Sequence, residues 1–180
     1  MRTRLTLSLA VAALATLPGC GGGAAPNTAA VVARTDTQPS EQDKTWMRAI
    51  HQGNMTEVQA GRLAEGKGTT KPIKAIGKML VKDHTKLDTK VTQTATQLGI
   101  QLPTSPSADQ RAELIRLQNA TGRDFDQDFL SGMVKAHTEA LAATRTEISN
   151  GSSQAVVALA KAAAPSLQEH LTALRKAQGD

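Results

Sequence analysis

Residues 72–99 read PIKAIGKMLVKDHTKLDTKVTQTATQLG, and this run decides the fold class. Ile73, Ile76, Leu80, Leu87, Val91 and Leu98 recur at spacings of three, four and seven, which places them on one stripe of an α-helix. Pro72 suits a first helical turn, and Gly99 supplies a C-terminal stop. Upstream, Met47, Ile50, Asn54, Val58, Gly61 and Ala64 form a second stripe over Trp46 to Glu65, which Gly53 and Gly61 weaken in propensity. The turn 66–70 joins the two. Downstream, residues 99–122 hold Pro103 and Pro106, and the spacing of Ser107 and Gln110 predicts a capped short helix to about Leu117. A third long helix is expected over Asp124 to Ser149, with Phe125, Phe129, Met133, Leu141 and Ile148 inward. A fourth covers Ser152 to Gln178. Its interior Pro165 predicts a kink or a break, and the capping spacing of Ser166 and Glu169 favours a restart. No run alternates as a strand would. The expected class is all-α: a four-helix bundle over residues 45–178, with a long crossover between the second and third long helices that makes this middle pair parallel.

Ahead of the bundle, Arg2 and Arg4 precede an apolar run from Leu5 to Leu17, then Pro18, Gly19 and the single cysteine, Cys20. This is the layout of a secretory signal over residues 1–19. It resembles the lipobox of bacterial lipoproteins, with Pro18 where a small residue is usual, and the resemblance implies acylation of Cys20. Residues 20–44 are then the lipidated cysteine and a flexible stalk of Gly, Ala, Pro, Thr, Ser and Gln, with a root-mean-square reach of roughly 27 Å for about 24 residues. The expected location is exported, on a cell-membrane or outer-membrane anchor. Losing Arg2 and Arg4 lowers the net charge from +5 to +3. That mild bias, no tyrosine, one tryptophan and two phenylalanines argue against nucleic acid as a partner.

Four polar residues stand on the inward stripes. Glu57 lies seven from both Ile50 and Ala64; His84 follows Leu80 by four; His137 lies four from Met133 and Leu141; His170 lies three after Leu167. With the middle helices parallel, His84 and His137 each fall about 18 Å from their helix starts, while His170 falls roughly 9 Å off that level unless a break at Pro165 corrects it. Three imidazoles and a carboxylate suit zinc, copper or iron. The chain has no Glu-x-x-His pair, which disfavours di-iron ferroxidase chemistry. The plainer reading is structural, with neutral buried histidines bonded to Glu57 or to carbonyls. Asp83 points about 100° from His84, toward solvent or as a partner of a ligand. Met133 with His137, and Met47 with His51, have the spacing for a softer Cu(I) set. Lys71, Lys74, Lys78 and Lys82 form a basic ridge, read first as a solvated face and second as a contact for anionic lipid or cell-wall polymer. No catalytic triad and no phosphate loop is visible in the sequence.

Several segments occur in order: Glu57-Val58-Gln59-Ala60-Gly61, Met79 to His84, Gly99 to Pro103, Phe125-Asp126, Met133 to His137 and Pro165 to Leu171. Together they resemble the bacterial domain-of-unknown-function family 4142, often labelled predicted outer membrane protein, across about Trp46 to Lys176. The resemblance implies a ferritin-like helical bundle and marks Glu57, His84, His137 and His170 as the family's characteristic polar positions. The leading functional expectation is a membrane-anchored envelope lipoprotein whose bundle is a non-catalytic binding or interaction domain for an envelope polymer or protein. A metal-binding or redox protein using Glu57, His84, His137 and His170 is the alternative, and an enzyme acting on an envelope polymer through Glu57 the third.

Overall fold

A computed structural model describes residues 38–179. The expected signal segment, Cys20 and most of the stalk lie outside the described residues. Within them the chain forms five helices and no strand: α1 Glu41–Lys67, α2 Lys71–Leu98, α3 Ala108–Asn119, α4 Gly122–Asn150 and α5 Gln154–Gln178.

Local chemistry sets most of the boundaries. Thr70 caps α2, Gly99 ends it with φ of 65°, and Ser107 opens α3 in a reciprocal capping box with Gln110. The first helix begins at Glu41 rather than Trp46, so the bundle takes in residues assigned above to the stalk. Ser40 caps it in a box closed by Asp43, a shorter acid than the Glu or Gln that usually signals this motif. Asp43 then accepts the backbone N–H groups of Ser152 and Ser153 at 3.0 and 3.1 Å, which ties the start of α5 to the start of α1.

Packing follows from two apolar clusters. One gathers Trp46, Met47, Val91, Leu141, Val156 and Leu167; the other gathers Ala64, Leu80, Leu117, Phe125, Phe129 and Leu174. The first cluster therefore holds the N-terminal part of α1, the C-terminal parts of α2 and α4, and the N-terminal half of α5. The opposite ends meet in the second. Hence α1–α2 and α4–α5 are antiparallel hairpins, α2 and α4 run parallel, and the connection carrying α3 returns the chain along the bundle, as the crossover topology requires. In the first hairpin the backbones approach closely, because a Cβ at Gly77 would stand 2.6 Å from the carbonyl oxygen of Gly61.

The restart expected in the last helix does not occur. α5 continues through Pro165. Pro165 and Lys161, four residues earlier, are both exposed, so water can take the carbonyl that the proline leaves without a donor.

Candidate metal centre

Between the two apolar clusters the four long helices turn a carboxylate and three imidazoles inward: Glu57 from α1, His84 from α2, His137 from α4 and His170 from α5. All are at most 3% exposed. The ring centroids of the three histidines lie 5.1 to 5.4 Å apart, and one nitrogen or more from each ring falls within 4.8 Å of the others. The His170 offset counted along the sequence closes without a helix break. From the α4–α5 turn, His137 lies thirteen residues back and His170 sixteen forward, a difference of about one turn that side-chain reach can span.

The outward nitrogen of every ring meets an acceptor. His84 Nδ1 donates to Asn54 Oδ1 at 2.9 Å, His137 Nδ1 to the Met133 carbonyl at 3.0 Å, and His170 Nε2 to Asp83 Oδ2 at 3.1 Å. Asn54 is itself oriented, its amide N–H₂ donating to Asp88 Oδ1 at 3.3 Å, which turns its oxygen toward His84. In the neutral rings these bonds fix the tautomers and leave His84 Nε2, His137 Nε2 and His170 Nδ1 bare on the inner side.

The bare nitrogens converge with Glu57. Its Oε2 stands 2.6 Å from His84 Nε2 and 3.3 Å from His137 Nε2, which is 3.3 Å from His170 Nδ1. Close as Glu57 and His84 are, the oxygen lies off the direction of a ring N–H, and neither atom has a hydrogen-bond partner among the described residues. Tetrahedral ligands about 2.0–2.1 Å from an ion sit about 3.3 Å apart. Two of the separations match that edge, and the Glu57–His84 separation would widen by about 0.7 Å. The donor set fits a borderline divalent ion.

Charge agrees with this. Burial would raise the Glu57 carboxyl, but His137 and His84 overcome it and hold it down to about 2. Burial lowers His137, and the neighbouring His84 lowers it further; burial and His84 do the same to His170. His84 alone is raised, because Glu57 outweighs its burial. With no ion, Glu57 therefore holds a second proton on His84, at Nε2, beside two neutral rings, and an ion taking that nitrogen would displace the proton.

The arrangement thus brings together all four residues expected from the sequence and gives Asp83 the role of holding His170. It does not bring in His51, whose nitrogens lie 2.7 Å from Asp88 Oδ1 and 3.1 Å from the Pro103 carbonyl, so the Met47–His51 pair offers no free nitrogen. Sequence spacing passed over Asn54, which read as one more residue of the α1 stripe. Its only sequence signal was being polar, three residues before Glu57, on an apolar face.

A helical bundle with a buried centre of one carboxylate and three imidazoles is the class these features define. The chain belongs to the family described as Domain of unknown function (DUF4142), which it matches over residues 28–177. No curated protein matches it. Among solved structures it is similar to a DUF305 fragment from Deinococcus radiodurans, with a TM-score of 0.70 at 12% identity over 79% of this chain and 99% of that one. It is also similar to CopM in the Cu(I)-bound form, with a TM-score of 0.63 at 14% identity over 74% of this chain and 93% of that one. At these identities the likeness is one of fold.

Proposed function

We propose that the bundle binds one divalent transition-metal ion, zinc or copper(II) in class, through Glu57, His84, His137 and His170. The observation that carries this is the direction of the protons: each histidine gives its outer N–H to a fixed acceptor, so the bare inner nitrogens of His137 and His170 face one another at 3.3 Å while His84 Nε2 faces the buried carboxylate of Glu57. A purely structural cluster would need donors facing acceptors inside. Here the two closest inner atoms have no hydrogen bond. The nitrogen and oxygen donors favour zinc or copper(II) over ions that prefer thioether or thiolate ligands. That a bundle of this shape, CopM, has been solved with Cu(I) supports copper as one of the two.

The role is binding rather than catalysis. A carboxyl held down by two neighbouring histidines is a weak base and, at neutral pH, no acid, which speaks against Glu57 as the general acid or base of a polymer-cleaving reaction. In this reading the protein is an exported lipoprotein. Acylated Cys20 and the stalk hold the bundle at a membrane face, and the exposed lysines 71, 74, 78 and 82 lie along one side of α2.

Elemental analysis of the purified protein after loading with zinc or copper(II) and dialysis tests the centre. About one ion per chain is expected, lost in His137→Ala and Glu57→Gln. Retention of no metal by the unaltered chain, with no shift in melting on metal addition, would overturn the reading.

A further inference from the structure

The two oxygens of Glu57 have different surroundings. Oε2 faces the histidines. Oε1 is the nearest atom to the empty side-chain position of Gly53, where a Cβ would meet it at 4.0 Å and would meet nothing else. Gly53 lies one turn before Glu57 on α1 and is only half-buried. It costs the helix propensity, and its lack of a side chain leaves a window onto the carboxylate.

Outside that window a groove of about 660 Å³ runs between α1, α3 and α4, with Ile50, Gly53, Met133 and Ala136 on its walls and Glu57 reached from it. On the other side of the bundle a smaller pocket of about 130 Å³, between α2 and α5, reaches His84 and His170. The two openings differ in charge. Asp109, Glu113 and Glu139 line the groove against Arg116 and Lys135. Arg116 is held by Glu113 at 2.6 Å and Asp128 at 2.5 Å, and Lys135 by Glu139 at 2.8 Å, so these charges pair off and Asp109 is left as excess negative charge beside the groove. At the smaller pocket Lys86 and Lys90 face a single acid, Asp83, whose carboxylate is engaged by His170. A cation is drawn to the first opening and repelled from the second.

We infer that divalent cations reach the centre through the groove between α1, α3 and α4, passing Gly53, and that Glu57 is the first ligand to receive them. The inference rests on the metal-centre reading above. Its content is kinetic: a blocked route raises one barrier and slows arrival and departure alike, leaving equilibrium affinity where it was.

Co(II) is the probe, its visible absorption reporting uptake by the full-length protein in stopped flow and its loss to excess chelator reporting release. Gly53→Leu should slow both by about tenfold or more while the dissociation constant stays within about twofold. Gly53→Ala, and Ser166→Leu at the mouth of the other pocket, should leave both rates within about twofold. If Gly53→Leu does not fold, the double reversal Asp109→Lys and Glu139→Lys should slow uptake, with the effect fading as salt is added. Normal affinity with an unchanged rate in Gly53→Leu, or slowing confined to Ser166→Leu, overturns the route and leaves the centre standing. Equilibrium dialysis showing no bound Co(II) in the unaltered protein overturns both.

Discussion

Asn54 need touch no ion to govern one. By accepting the Nδ1 proton of His84 it turns Nε2 toward Glu57, and its own amide is steered by Asp88. Asn54→Ala should therefore weaken metal binding by about 10- to 100-fold with little loss of fold, measured by competition with a chromophoric chelator. A second buried group, far along the bundle, acts on pH. Glu147 is fully buried, and burial first, then its hydrogen bond to Asp43, pushes its carboxyl up to about 7 from 4.5. Asp43 moves the other way: burial would raise it, but the hydroxyls of Ser152 and Ser40 hold it well below the usual carboxylate range. So the proton of this pair rests on Glu147 rather than on Asp43. Because the folded value lies above the unfolded one, the native state holds the extra proton, and the stability from neutral Glu147 is complete below about pH 4.5 and lost as pH rises through about 7. Between pH 5 and 8 the unaltered protein should lose melting temperature relative to Glu147→Gln, which lacks this titration. His84, with a raised value, acts in the same direction and His137 and His170, with lowered values, in the opposite one, so the difference between the two proteins is what isolates Glu147.

Among the elements, the α1–α2 hairpin shows how little space separates two backbones. A Cβ at Gly77 would stand 2.6 Å from the Gly61 carbonyl oxygen and 3.0 Å from the Glu65 nitrogen, both rigid main-chain atoms. Gly77→Ala should cost about 1–3 kcal/mol in urea unfolding. Gly66→Ala, with nothing within 4 Å, should instead be neutral or slightly stabilising. The elements also show where sequence is legible. Periodicity identified the four long helices, since Ile73 to Leu98 can share a face only as a helix, and Pro72, Gly99 and Ser107 punctuate the chain by their own backbone chemistry. It also found the four inward polar residues, because a charge or imidazole on an apolar stripe breaks the pattern. The clasp of Asp43 with Ser152 and Glu147 left no such mark. Its partners lie more than a hundred residues apart and come together only through the topology. Pro165 misled for a related reason: whether a proline breaks a helix depends on whether the orphaned carbonyl faces water, and only the packed bundle determines that.

On the scale of the whole molecule, the two proposed functions fall on separate stretches of chain. No helix among the described residues is long and apolar enough to cross a membrane, and the lipobox-like segment at Cys20 is the feature that would hold the protein to one. Cys20→Ala should move it from the membrane to the soluble fraction on cell fractionation, with metal content per chain unchanged. The centre, for its part, draws two ligands from each hairpin, Glu57 and His84 from one, His137 and His170 from the other. With a single cysteine the chain cannot form an internal disulfide. An ion held by both hairpins would serve in its place as a removable rivet, fastening residues over a hundred positions apart and withdrawn by a chelator rather than a reductant. The chain between the hairpins, residues 99–121, would then report metal supply to any protease at hand: slow cleavage of the loaded protein, fast cleavage once the ion is stripped, read as fragments on a gel.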